Sequence, residues 1–433
     1  MSTARSIPNS GEDPAYSRIL KVFLRENADH LVEGLTPGYL LMSITQISAK
    51  EARKIIVLSQ LLAGPSVRQG VKRATLDTII KIGYVQIDTI SVIERAHHHK
   101  LWTRVKGYKK SVLETLEKER QVFEYWSHAA SYLPMRNYRY TLPAKKEIEQ
   151  KDRFWHKKDV REMRRMLDRI RNEGELRSRE LEEKNKVSAT GWPTWGPKKI
   201  ALQHLFMEGK IMISRREGFQ KVYDLTERCL PSDIDVAMPS RQEYMRFLVM
   251  RDLTAHGIMK QSEIGYLLKG IQKDLRSVVE GMIASGEVEL ITIGVRPDTF
   301  ITLPGTLKLL EVKGYRHSVK LLSPFDNLII NRKRTLDQFG FNYTLECYVP
   351  SGKRQFGYFG LPILWKDRIV GQIDLKANRS TGEMTCRNIA LAKRIGGKDL
   401  FRNSLQMELD RLCTFNGCDH IDFDHKGQRE LIY

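Results

Sequence analysis

The chain has 433 residues, enough for about three domains at roughly 150 residues each, and its 72 lysines and arginines against 52 acids leave a formal charge of +20. With 41% apolar and 29% charged residues it reads as a folded protein whose charge calls for a polyanionic partner: DNA, RNA or an anionic membrane. No run approaches the ~18 apolar residues of a spanning helix, no compact apolar secretion core opens the chain, and five cysteines, an odd number, argue against a disulfide-framed secreted protein. The expectation is a cytoplasmic, multidomain protein that meets nucleic acid, associating with the nucleoid when on DNA.

Residues 1–43 read as an appendage. Ser2 to Ala15 is polar and rich in Pro, Gly and Ser, a disordered composition, and Ile19, Leu20, Phe23 and Leu24 then suit a short amphipathic helix before the Thr36-Pro37-Gly38 turn. From Ser43 a helical stretch ending in Gly and followed by an alternating strand recurs three times, at Gly83, Gly209 and Gly286. Before the second and third copies stand the matching blocks Gly174-Glu-Leu-Arg-Ser178-Arg-Glu-Leu181 and Gly257-Ile-Met-Lys-Gln-Ser262-Glu-Ile264, each a short strand and then an N-cap serine opening a helix. The strands return as hairpins, turning at Glu217-Gly218 and near Arg296-Pro297-Asp298. Helix, short strand, helix, helix and hairpin is the order of a winged helix-turn-helix. Two candidate recognition helices fit: Leu275, Val278, Val279, Met282 and Ile283 form one apolar stripe with Lys273 and Arg276 off it, and Ala201, Leu202, Leu205 and Phe206 form another behind Pro197-Lys198-Lys199.

After Leu321 strand-like stretches at Tyr343–Val349, Gln355–Leu361 and Ile369–Leu375, separated by turns, suggest a small β-barrel closed by a helix over Asp399–Leu412. The fold class is therefore α+β: a first winged helix over 44–140, a second over 141–235, a third over 236–320 and a barrel-like domain over 321–433. The run Arg161, Arg164, Arg165, Arg169 and Arg171 is either a solvated helix face or a phosphate contact.

At period two, Val85 and Ile87 share one face and Gln86 and Asp88 the other, which suits an ordinary wing surface or a pair of polar groups that do chemistry. The continuation Thr89-Ile-Ser-Val-Ile-Glu94-Arg95-Ala-His97-His98-His99-Lys100-Leu-Trp102-Thr-Arg104 resembles the signature of the bacterial winged-helix DNA glycosylases, the crosslink-unhooking and azinomycin-resistance enzymes. The resemblance continues through Phe123-Glu-Tyr125-Trp126-Ser-His128-Ala-Ala-Ser-Tyr-Leu-Pro134, Val222-Tyr-Asp-Leu-Thr-Glu-Arg-Cys-Leu-Pro231 and Leu322-Ser-Pro-Phe-Asp326-Asn-Leu-Ile, in order from residue 44 to about 410. It implies three tandem winged helices with a C-terminal β-barrel, and a catalytic motif of glutamine, an apolar residue, then glutamine or aspartate. Here that motif is Gln86-Ile-Asp88, the aspartate form, which resembles the broader-substrate crosslink branch. The departures are the N-terminal extension and Ala129, where the family is expected to carry an acid.

The implied chemistry is hydrolysis of the base–sugar bond of alkylated purines, with Asp88 stabilising an oxocarbenium-like sugar and activating water that Gln86 helps to hold. The implied partner is double-stranded DNA with alkylated or crosslinked purines, met by a monomer with no cofactor and no membrane contact. DNA contacts are expected from His97, His98, Trp102 and Arg104 beside the motif, from Lys198 and Lys199 at a helix start, and from Arg332, Lys333 and Arg334 at a turn. Trp192 and Trp195 either stack on bases or fix a loop. His97, His98 and His99 have no Cys or carboxylate at ligand spacing, so a metal is not expected there, and Cys413 and Cys418 read as core thiols. The alternative is a non-catalytic winged-helix regulator; a metal-dependent nuclease lacks its acidic cluster.

Overall fold

The structure is a computed structural model that describes residues 44–64, 69–152, 155–181, 195–313 and 318–424. The appendage expected over 1–43, and Trp192 of the tryptophan pair, lie outside the described residues. The described residues start with strand β1 (Thr45–Ile47) and helix α1 (Ala49–Ser59), whose N-terminus is closed by a capping box between Ser48 and Glu51.

One order of elements then occurs three times. The first unit runs α2 (Val71–Ile82), β2 (Val85–Gln86), α3 (Ala96–Arg104), α4 (Lys110–Lys118), β3 (Val122–Trp126) and β4 (Ala130–Pro134). Helix α5 (Leu142–Glu149) leads to the second unit: α6 (Val160–Glu173), β5 (Leu176–Arg177), α7 (Pro197–Met207), β6 (Ile211–Glu217) and β7 (Gln220–Leu225). The third comprises α8 (Arg241–His256), β8 (Ile258–Met259), α9 (Gln272–Ala284), β9 (Glu289–Ile293) and β10 (Thr299–Thr302). In each unit the two-residue strand pairs with the last strand of the hairpin, giving the orders β2-β4-β3, β5-β7-β6 and β8-β10-β9. The helices start and face as their residues require: Pro197 opens α7, Asp159 accepts from Arg161 N and Glu162 N at the start of α6, and Leu275, Val279 and Met282 are the buried stripe of α9.

The glycine repeat of the sequence is out of step in its first copy. Gly83 corresponds to Gly174 and Gly257, which end the first helix of each unit at φ 81°, 91° and 74°. Gly209 and Gly286 instead precede the hairpins, and in the first unit Arg120 holds that left-handed position at φ 58°. An arginine there hides the signal, because left-handed backbone ordinarily selects glycine or asparagine. The strand carrying Gln86 is therefore the short edge strand that pairs with the hairpin of its unit, and not a hairpin strand itself. Ser262 also differs from expectation, lying inside a 3₁₀ turn (Gln261–Glu263) and not at the cap of a longer helix, while Ser178 begins a 3₁₀ turn (Ser178–Leu181) at the edge of the described residues.

The start of the chain, expected in the first unit, completes the third. Strand β1 runs parallel to β9, pairing Thr45 with Ile291 and Ile47 with Ile293, and Ile55 and Ile56 of α1 share a core with Ile258 and Phe300. In the C-terminal part β11 (Val319–Leu321), α10 (Arg332–Phe339), β12 (Gly360–Trp365), β13 (Arg368–Asn378), β14 (Glu383–Leu391), α11 (Lys398–Phe415) and β15 (His420–Phe423) build a sheet of order β11-β12-β13-β14-β15. Where a barrel was expected, this sheet stays open among the described residues, with β11 and β15 at its edges. Tyr343–Val349 is no strand. The Glu346 carboxylate accepts from the backbone N–H of Gln355, Phe356 and Gly357, folding this stretch into a loop with a 3₁₀ turn at Glu346–Tyr348.

One core runs from Val85, Trp102 and Leu113 of the first unit into Leu361, Ile373 and Leu412 of the C-terminal part. A second joins Tyr125 and Leu133 of the first hairpin to Phe206 and Ile213 of the second unit. Gln86 and Asp88 thus lie where the first unit meets the third unit and the C-terminal segment. Among the described residues no helix is long and apolar enough to cross a membrane.

Candidate active site

Gly83 is where the site begins. Helix α2 ends there, and a Cβ at this position would come within 2.8 Å of Arg251 Cγ on α8, so only glycine allows the first and third units to approach this closely. Tyr84 follows, then Val85 and Gln86 enter the ladder opposite Tyr132 and Ser131, and Ile87 N donates to Ala130 O at 2.8 Å. The chain then leaves the sheet. Asp88 sits in the loop before α3, half-buried, with Oδ1 accepting from Ile90 N at 2.7 Å, the Asx geometry that holds a carboxylate still.

Gln86 is buried, and its Oε1 accepts from His128 Nε2 at 3.1 Å. His128 lies in the turn between β3 and β4, its ring edge-on to Tyr84 at 5.1 Å and to Tyr266 at 5.7 Å. Among the described residues no protein group accepts from Gln86 Nε2. Below the motif Lys100 is fully buried, with Nζ donating to Asn327 Oδ1 at 3.0 Å. Asn327 Nδ2 in turn donates to Ile82 O and Tyr84 O, tying the C-terminal segment to the Gln86 strand. Tyr84, His128, Arg251, Tyr266, Asn331 and Arg334 line a small polar cleft beside these groups.

Burial raises the Asp88 carboxyl above its ordinary value, partly offset by the Ile90 N–H and then by the Lys100 cation. Burial pushes the Lys100 ammonium down to about 7, with Asp326 and Asp88 supporting its charge. Burial holds His97 well below the usual histidine value and His98, His99 and His128 at about 4, so none of these imidazoles is a cation near neutral pH. The Glu346–Tyr348 turn lies near enough that, after burial itself, the Asp88 charge helps to raise the Cys347 thiol; Tyr348, raised by burial, then by Cys347 and then by Asp88, is 76% exposed. Among the described residues no three His, Cys, Asp or Glu side chains gather as a metal-binding group.

The model of the family described as DNA glycosylase AlkZ-like matches residues 79–415, which spans this whole constellation. This chain belongs to that family. Its fold is also similar to that of the DNA glycosylase AlkZ of Streptomyces sahachiroi, with a TM-score of 0.57 and 14% identity over 88% of this chain and 100% of that one. At that identity the likeness speaks for the fold alone. As a member of a DNA glycosylase family, the chain is a DNA repair enzyme with a DNA substrate.

Several residues expected to contact DNA are occupied inside the protein. The Arg104 side chain is entirely buried, its Nη1 and Nη2 paired with Asp326 Oδ2 and Oδ1 at 2.7 and 2.8 Å and its Nε donating to Gln60 O. Trp102 is 6% exposed and stacks on Phe415 with centroids 5.3 Å apart. His97 is buried, and half-buried His98 meets the Tyr108 hydroxyl at 2.9 Å through Nδ1. Arg332, Lys333 and Arg334 form the first turn of α10, and only Lys333 is exposed. Arg332 donates to Ile329 O and Pro324 O, while Arg334 is buried against His256 and Glu263. Arg104 and Arg332 thus satisfy acceptors inside the protein. Lys198 and Lys199 open α7, Lys198 half-buried and Lys199 exposed with its Nζ 4.8 Å from the Trp195 ring centroid.

On α6, Arg165, Arg169 and Arg171 pair with Glu162, Glu173 and Asp168, the pattern of a solvated salt-bridged face. The residues whose part was missed are Lys100, His128 and Asn327. Each lies within a stretch that carried the family resemblance, but nothing in its local pattern marks it, since their partners are distant in sequence.

Proposed function

We propose that this enzyme hydrolyses the N-glycosidic bond of alkylated purines in duplex DNA, unhooking interstrand crosslinks among them, without metal or nucleotide cofactor, as a monomer. The observation that carries the reading is Asp88: a half-buried carboxylate, held by the Ile90 N–H, two residues from a buried amide whose Nε2 meets no acceptor among the described residues. A purine alkylated on a ring nitrogen is already cationic and leaves without a general acid, so one carboxylate suffices where ordinary glycoside hydrolysis needs two. Asp88 would stabilise the developing positive charge on the sugar and take a proton from the attacking water, which accepts a hydrogen bond from Gln86 Nε2. The raised Asp88 carboxyl suits a base that must accept that proton.

We read each of the three repeated units as a winged helix, and the C-terminal sheet as part of a barrel. A motif at the meeting of several units, with Asp88 only half-buried, suits a base still tethered to the opposite strand. Lys100, the lysine beside the motif, is fully buried, which favours hydrolysis by water over attack by an amine. Exposed Lys199 and Lys333 are the retained candidates for phosphate contact, with Lys198 beside them. The test is chromatographic detection of free N7-methylguanine from methylated duplex DNA in EDTA. Release with strands intact until alkali treatment is expected; tight binding with no release would move the reading to a DNA-binding regulator.

A further inference from the structure

We propose that His128 is the positioning residue of Gln86: its Nε2–H fixes the orientation of the side-chain amide and so presents the NH₂ group to the water or sugar beside Asp88. The inference rests on the glycosylase reading for the meaning of that orientation, though not for the contact itself. Gln86 has its backbone fixed by the ladder to Ser131 and by the Ile87 bond to Ala130, but a glutamine amide is free to exchange its oxygen and nitrogen by half a turn about its last torsion. With the ring in its Nε2–H tautomer, the bond from His128 Nε2 to Oε1 at 3.1 Å removes that freedom. It assigns the oxygen to the hairpin and leaves the nitrogen, which has no acceptor among the described residues, for the substrate side.

The histidine is itself held. Its turn is closed by Ser127 N and Ser131 Oγ, both donating to Ala129 O, and its ring is clamped edge-on between Tyr84 and Tyr266. Tyr266 is anchored in turn by its hydroxyl to Ile330 O at 3.2 Å. The donor thus depends on the third unit and the C-terminal segment, so Gln86 is oriented only when these parts are assembled around it.

Histidine is the suitable donor because it does this work uncharged. Burial, then Lys100 and Arg251, hold it at about 4, so at neutral pH it supplies one N–H and no positive charge. A lysine or arginine here would donate equally well but would repel a cationic base arriving beside Asp88.

Single-turnover base release decides the matter, with His128→Ala, His128→Gln, Gln86→Ala and the Gln86→Ala/His128→Ala double variant. Loss of one neutral hydrogen bond predicts about tenfold slower release for His128→Ala, with lesion-DNA affinity within about twofold of the parent. His128→Gln, which keeps an N–H at the same reach, should recover most of the rate. The double variant should match Gln86→Ala alone, since removing the orienter of an absent amide costs nothing more. Parental rate in His128→Ala, no recovery in His128→Gln, or a further tenfold loss in the double variant would each overturn the proposal.

A second readout is independent of activity and of whether His128→Ala folds. In ¹⁵N-histidine spectra of the parent, His128 should be the neutral Nε2–H tautomer at pH 7, and its protonated nitrogen should shift in Gln86→Ala. An Nδ1–H tautomer, or an unmoved signal in Gln86→Ala, would refute the contact. A parent that released no base but passed this test would refute the proposed reaction and leave the contact standing.

Discussion

Replacing Arg104 with alanine removes five hydrogen bonds at once: two to the Asp326 carboxylate, two to Gln60 and one to Lys100 O. Neither side chain of the Arg104–Asp326 pair has any exposed surface, so the variant leaves a carboxylate buried without its main partner. Breaking a buried pair from one side costs about 3–5 kcal/mol. The Leu328 N–H at 2.9 Å and the nearby Lys100 cation remain to Asp326, which places the expected loss toward about 3 kcal/mol. With an m-value of about 2 kcal/mol per molar urea, the midpoint of the transition that contains this core falls by about 1.5 M. DNA binding by the fraction still folded should keep its salt dependence, because no phosphate contact is lost. Urea denaturation followed by tryptophan fluorescence, with DNA titrations at several salt concentrations, measures both quantities. A variant as stable as the parent but with a shallower salt slope would return Arg104 to the DNA interface and refute this assignment.

Lys333→Ala and Lys199→Ala should behave in the opposite way, each leaving stability unchanged and lowering the slope of log K against log salt by about 0.9 in DNA titrations. Lys100→Met removes the cation that lowers the Asp88 carboxyl, so the acid limb of the base-release pH profile should move to higher pH. An unmoved limb would contradict the coupling. Glu117 is raised to about 7 by burial and by the neighbouring Glu124 charge, so its contribution to stability is full below its unfolded value near 4.5 and is lost as pH rises through about 7. Glu117→Gln should therefore raise the melting temperature at pH 8 relative to the parent, with a much smaller gain at pH 5.

What could be read from the sequence was local. Alternation and glycine turns located the hairpins of the second and third units, and the likeness around Gln86 and Asp88 pointed to the family before any geometry was known. The first unit was set in the wrong register because Arg120 occupies the left-handed position that glycine fills elsewhere. The use of the cations was misjudged for a different reason: Arg104 and Asp326 are 222 positions apart, and no local pattern links such a pair. A basic cluster such as Arg332-Lys333-Arg334 reads as surface until the carbonyls of Ile329 and Pro324 are seen around its first member. The parallel pairing of β1 with β9 was equally out of reach, since a three-residue strand carries no mark of its partner.

The central claim is that Asp88 drives base loss. Duplex DNA carrying a nitrogen-mustard interstrand crosslink, incubated in EDTA with the parent protein or with Asp88→Asn, tests it most directly. The account predicts strand separation with alkali-labile sites for the parent, and release at least about 100-fold slower for Asp88→Asn at comparable affinity for the crosslinked duplex. Equal unhooking by the two proteins, or unhooking by the parent that EDTA abolishes, would contradict it.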